Sequence, residues 1–333
     1  MKNKINKLLA SVLLVPAVVI SAAAADRLND PYVITSRSPF VQIYGLPAAQ
    51  GAELQGSGQW SGGLQIDVSN NFAENDSASE QVFIDGETHR VNLQGRYGLN
   101  EKWELGIDVP YLSHKSGGLD SFIDDWHDFW GFPDGDRPAF PQDQLQFSYQ
   151  NAAGDSVLLN EPEAGVGDVS LSAAYQLSNN DDQYWALRAA VKIPTGDADS
   201  LLGSESTDIS LALNFSDQQL GQSAFAFHGS AGVMFMDDGE VLSELREDWV
   251  VFGSSTLSWL YSSAVSLKLQ LDVHSAFYDS GLTELGDDSA QLIIGGAIRL
   301  SEHWLLDLAV SEDIAVDTAP DVVFHIGVKA VEW

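Results

Sequence analysis

Strict two-residue alternation of apolar and polar positions runs through most of the chain. From Trp60 the even positions read Trp60, Gly62, Leu64, Ile66, Val68, Asn70, Phe72, with Ser61, Gln65, Asp67 and Ser69 among those between. From Val265 the odd set is Val265, Leu267, Leu269, Leu271, Val273, against Ser266, Lys268, Gln270, Asp272, His274. Period two marks a strand whose two faces meet different surroundings. Twelve such runs are predicted, at 58–72, 88–99, 103–114, 165–177, 183–194, 207–216, 222–235, 248–260, 264–277, 288–300, 304–313 and 321–332. Most exceed the roughly 9–11 residues that a tilted strand needs to cross a bilayer. Their connections are 15, 3, 50, 5, 12, 5, 12, 3, 10, 3 and 7 residues long, so every odd-numbered one exceeds every even-numbered one. An all-β, antiparallel up-and-down transmembrane barrel with short turns at one end and long loops at the other has this rhythm. A Greek-key sandwich has no reason to show it.

Aromatic placement agrees. Trp60, Trp103, Trp185, Trp259, Trp304 and Trp333 fall at strand ends on the short-turn side, with Tyr97, Tyr175 and Tyr261. Phe72, Tyr111, Phe235, Trp249 and Phe277 sit at the opposite ends, as two interfacial girdles require. Trp333 is out of step with the outward phase of the last strand (Val322, Phe324, Ile326, Val328, Ala330), which a bulge near Val331 would repair. Outward positions such as Leu269 should reject a charge, whereas lumen-facing Gln270 should tolerate one.

The first residues lie outside this pattern. Lys2, Lys4 and Lys7 precede an apolar run and then Ser21 and four alanines, the order of a cleavable signal peptide over 1–25. Residues 26–56 contain Pro31, Pro39 and Pro47 and little alternation; they either thread the lumen as a plug or stay periplasmic. The barrel then occupies 57–333, with a long loop at 115–164.

Composition narrows the function. With 48 acids against 16 bases and a net charge of −32, the chain cannot hold nucleic acid through clustered phosphate contacts. It has no cysteine, which removes disulfides, thiol catalysis and Cys-based metal sites. The six long loops hold 27 of the acids and three bases, Lys115, Arg137 and Arg246. Such a surface is either simply solvated and repulsive or binds divalent cations among lipopolysaccharide phosphates. Asp134, Asp136, Asp197 and Asp199 are available, without full calcium-loop spacing.

The inward phase carries acids (Asp67, Glu104, Asp108, Asp168, Asp208, Asp272, Asp307, Asp313) and bases (Arg90, Arg96, Arg188, Lys192, Lys268, Arg299, Lys329) in near balance. They form either a salt-bridged filling or a narrow pore whose charges choose solutes. The pore candidates are Arg96, Glu104, Asp108, Asp168, Arg188, Lys192, Asp208, Lys268, Asp272 and Arg299. His114, His228, His274 and His325 share that phase without metal-site spacing, and no cofactor is implied.

Within the long loop the period changes. Leu119, Phe122, Ile123, Trp126, Phe129 and Trp130 make one apolar stripe of a short amphipathic helix, with Asp120, Asp124, Asp125 and Asp128 opposite. The stripe is either a packed lid or an aromatic surface for an apolar ligand, with Phe122, Trp126, Phe129 and Trp130 as gate or ligand candidates. A hydrolase reading has only Asn70, His89 and Ser113 at neighbouring strand ends, so no catalytic residue is assigned.

Four stretches carry a family likeness: 117–141 (GGLDSFIDDWHDFWGFPDGDRPAFP), 39–47 (PFVQIYGLP), 165–169 (GVGDV) and 192–197 (KIPTGD). Together they resemble an uncharacterised Gram-negative outer-membrane family, a domain of unknown function, over nearly all of the mature chain. The last two stretches also look like the broader barrels named after phenol-degradation meta-pathway loci. The resemblance implies an outer-membrane barrel and neither a substrate nor catalytic residues. The expected function is passive transport of a small solute, apolar or aromatic if the loop stripe captures it. The alternative is a structural or surface-interaction protein with a closed lumen; a lipid hydrolase stands third.

Overall fold

A computed structural model describes residues 27–122, 140–180, 182–314 and 318–331. Fifteen strands are present: β1 (Trp60–Asp76), β2 (Glu80–Asn100), β3 (Trp103–Lys115), β4 (Gln146–Asn151), β5 (Ser156–Leu159), β6 (Glu163–Val166), β7 (Val169–Asn180), β8 (Gln183–Ile193), β9 (Asp208–Asp217), β10 (Phe225–Met236), β11 (Trp249–Ser262), β12 (Val265–His274), β13 (Ser289–Arg299), β14 (Trp304–Asp313) and β15 (Val322–Ala330). Twelve of them close an antiparallel barrel. Neighbours pair in chain order, β3 joins β7, and β15 returns to β1 from Gly62↔Ala330 to Asn70↔Val322. Closure leaves the wall no unpaired edge.

The faces follow the alternation. Leu64 and Ile66 on β1, and Leu267, Leu269 and Val273 on β12, point away from the barrel and are exposed. Gln65, Asp67, Ser69, Ser266, Lys268 and Gln270 point inward and are buried. Trp60, Trp103, Trp185, Trp259 and Trp304 form an exposed ring near the short-turn end. At the other end Tyr111 and Trp249 are exposed, but Phe72 and Phe277 are not. Phe72 is covered by Phe140 of the long loop, with ring centroids 5.2 Å apart, and Phe277 packs on Tyr44 at 5.4 Å. These two rings belong to the cap of the barrel and not to a girdle.

Two loops differ from expectation. The predicted first loop is strand: β1 and β2 continue past the rim to a tight turn at 77–79. Within the 50-residue connection, β4 pairs with the protruding part of β2, β5 with β4, and β6 with the end of β3. Val82, Ile84, Phe147 and Tyr149 are buried in this extension. Beyond the rim the outer face meets water, so the apolar-outward signal disappears and alternation alone persists. The predicted strand 165–177 is broken at Gly167 and Asp168, beside Pro110, whose carbonyl accepts the Gly167 N–H at 2.9 Å. Proline has no N–H for the ladder, and pairing of β3 passes there from β7 to β6. Residues 1–25, Trp126, Phe129, Trp130 and Trp333, on which the signal-peptide, helix and bulge expectations fall, lie outside the described residues.

Candidate functional site

Residues 27–56 lie inside the barrel. They enter at the short-turn end, where Leu28 packs with Ala297, Leu305 and Val331, and rise past Tyr32 and Ile34 to the long-loop end. A turn at 38–44 reverses the chain there. The second arm descends beside β9, β7 and β3 to Gly56, next to Gly98. A Cβ on Gly98 would stand 2.0 Å from the Gly56 carbonyl oxygen, so this crossing requires glycine.

An extended segment without a strand neighbour must satisfy its backbone some other way. The wall side chains do this. Gln270 accepts the Tyr32 N–H at 2.9 Å and donates to the Tyr32 carbonyl at 3.3 Å. Asp208 accepts the Gly45 N–H at 2.7 Å, Ser216 that of Ala52 at 2.8 Å, and Glu104 that of Gln55 at 2.9 Å. Lys268, Lys329 and Lys192 donate to the carbonyls of Asp30, Pro31 and Ile43. Prolines at 31, 39 and 47 suit such a path, because they bring no N–H that needs a partner.

The inward charges pair along the inner face of the wall, between adjacent or next-neighbour strands. Arg96 meets Asp108 at 2.9 Å, Arg188 meets Glu104 at 2.8 Å, and Lys192 lies between Asp168 at 2.7 Å and Asp208 at 3.1 Å. Asp307 holds both Lys268 and Lys329, at 3.1 and 2.6 Å. Asp67 takes Arg37 of the inner segment at 2.7 Å and His325 at 2.6 Å. Asp168 also accepts the backbone N–H groups of Thr195, Gly196 and Ser204, which ties the broken strand to the following loop. Asp272 is bound by Gln270 at 2.9 Å. Arg299, at the short-turn end, donates to the Ser263 carbonyl. Sequence reasoning found the wall charges and set Gln270 in the lumen without its partner, and it missed Arg37 and Gln176.

The long-loop mouth is sealed by apolar groups. Phe40, Val41, Ile43 and Tyr44 of the inner turn join Met234, Met236, Phe252, Phe277 and Tyr278 in one buried cluster. The Tyr278 hydroxyl donates to the Phe40 carbonyl at 2.8 Å, and Tyr44 donates to Val241 at 3.4 Å. Burial raises the phenol pKa of both tyrosines, so they stay neutral donors. Phe122, from the expected loop helix, is half exposed and meets outward-facing Phe324 at 5.9 Å. This one ring therefore stands on the outer side of the wall. Of the residues in the hydrolase reading, His89 contacts Glu87 at 3.2 Å and Lys115 at 3.4 Å, Asn70 donates to Asp120, and Ser113 lies opposite His89 in the β2–β3 ladder.

Among solved structures, the COG4313 outer membrane channel from Pseudomonas putida F1 superposes with a TM-score of 0.58 at 16% identity, covering 84% of this chain and 97% of its own. It shares the fold. The CymD monoaromatic hydrocarbon channel (TM-score 0.41, 12% identity, 91% and 94% covered) and the Ralstonia pickettii toluene transporter TbuX (0.38, 11%, 84% and 90%) superpose more loosely. No curated protein matches the sequence. A family profile described as protein of unknown function, DUF3187, matches residues 8–330.

Proposed function

Because the chain belongs to that family, whose description names no activity, we propose from the geometry that it is an outer-membrane channel for a small solute, closed in this state by residues 27–56. The observation that carries the reading is how the inner segment is held. Its backbone bonds go to side chains of the wall, not to a ladder, and water can replace each of these at a net cost of about 0.5–1.5 kcal/mol. An inner segment fixed in this way can leave without opening the barrel. The exposed aliphatic band and tryptophan ring suit a membrane, with the long connections outside and the acidic rim facing lipopolysaccharide through divalent cations. An epitope in 236–247 should then be accessible on intact cells, and one at 178–182 should not.

A second reading, a structural barrel with a permanently closed lumen, is favoured by the apolar cluster at the mouth. A reversible tether separates the two. A Cβ on Gly45 would stand 3.2 Å from that of Asp208, near the roughly 3.5–4.5 Å that a disulfide spans. The chain has no cysteine of its own. Gly45→Cys with Asp208→Cys should show openings in planar bilayers when reduced and none when oxidised. Equal conductance in both states removes the inner segment as the gate. Silence of the wild type and of the reduced variant supports the structural barrel.

A further inference from the structure

Five residues that line one cavity of about 100 Å³, between the inner turn and strands β2, β3, β7 and β8, carry six buried side-chain atoms without a hydrogen-bond partner. They are both amide atoms of Gln42, Nε of Arg90, Oδ1 of Asn92, Oγ of Ser172 and Nε of Arg188. Buried polar atoms are nearly always bonded, so several orphans around one space point to something that binds there.

Charge identifies its class. Every carboxylate near Arg90 is committed elsewhere: Asp67 to Arg37 and His325, Asp108 to Arg96, Asp168 to Lys192. Arg90 has no hydrogen bond or ion pair among the described residues, and its side chain lines the cavity. A buried guanidinium with no hydrogen bond of its own matches a planar monoanion, whose two oxygens accept from parallel N–H groups. A neutral solute would offer Arg90 no charge-assisted bond, and a dianion would double the repulsion from Asp67, Asp108 and Asp168. The space holds several waters or a solute of a few heavy atoms. Ala190, Ala212 and Pro110 supply apolar wall for a short tail.

We propose that this cavity is a binding site for a small monocarboxylate, held by Arg90 with Arg188 Nε and the Gln42 amide. Gln42 belongs to the inner segment and the two arginines to the wall. A bound carboxylate therefore also fastens the inner turn to the barrel. The site stands whether or not the barrel conducts.

Calorimetric titration of the refolded full chain in detergent tests it, with propionate, its neutral isostere propionamide, and inorganic phosphate as probes. Propionate should bind saturably, and propionamide and phosphate should not. Arg90→Gln should weaken propionate by more than about tenfold, while Arg90→Lys retains part of it. Gln42→Glu, of the same shape, would place the chain's own carboxylate in the cavity and should abolish propionate binding with the heat-modifiable electrophoretic mobility of the folded barrel unchanged. If Arg90→Gln does not refold, Gln42→Glu decides alone. Equal binding of propionate and propionamide, preference for phosphate, no propionate binding by the wild type, or unchanged binding in Gln42→Glu each overturns the proposal.

Discussion

The barrel wall and the segment it encloses solve the same problem in opposite ways. Both bury backbone where water does not reach. The wall pairs its backbone with itself, strand to strand, and leaves its side chains free to face outward or inward. Residues 27–56 pair their backbone with side chains from β3, β7, β8, β9, β11, β12 and β15. A ladder is cooperative and indifferent to which side chains it carries. A set of side chain-to-backbone bonds is specific and can be dismantled one at a time. The first suits a scaffold and the second suits a part that moves.

Five substitutions at four positions press on that contrast. Asp307→Ala should have the largest effect, because Asp307 neutralises Lys268 and Lys329, which also hold Asp30 and Pro31 of the inner segment. Leaving two buried ammonium groups unpaired should cost about 3–5 kcal/mol. Urea titration of folding in lipid reads this directly. A loss below about 1 kcal/mol would mean that wall and inner segment do not share this charge cluster.

Leu269→Arg comes next, at about 2–4 kcal/mol, because Leu269 is 46% exposed on the outward face. By alternation alone, Gln270→Arg should be mild. The structure reverses that expectation, since Gln270 is fully buried against Tyr32 of the inner segment. An arginine there should cost as much as at Leu269 or should expel the ascending arm. Tolerance of Gln270→Arg, with the arm still protected from protease, contradicts the occupied lumen.

Gln270→Ala tests the inner segment more gently. It strips both partners from the Tyr32 backbone and should cost about 1–3 kcal/mol. Hydrogen exchange should rise along 27–37 and stay unchanged in β12, and uniform acceleration of both would show that the two parts melt as one. Tyr278→Phe should have the smallest effect, about 0.5–1.5 kcal/mol, from losing the hydroxyl that reaches the Phe40 carbonyl and the Tyr44 hydroxyl. Its exchange signature should be confined to the turn at 38–44. Broad loosening would mean that the mouth cluster depends on this hydroxyl more than on its apolar contacts.

The outer half of the molecule was legible from the chain because outward-facing Leu64, Ile66, Leu267 and Leu269 each report their surroundings residue by residue. Legibility stopped at the rim. Gln146 to Gln150 alternate as clearly as the barrel strands, with Phe147 and Tyr149 on one face, yet six residues inside a long polar connection do not announce which strand they join. For the lumen, the inward charges were visible but their partners were not. Arg188 and Glu104 lie 84 residues apart, and several basic residues stood equally ready for each acid.

What the sequence alone determined is therefore the wall: strand number, the outward and inward faces, and which end carries the short turns. Alternation records a local contrast between two environments, and connection length needs no knowledge of distant partners. Only the tertiary structure decided the rest. The inner segment has no period, because its neighbours are side chains brought together from several strands more than a hundred residues away. Its path, the pairing of the lumen charges and the cavity around Arg90 exist only once the barrel has closed around it.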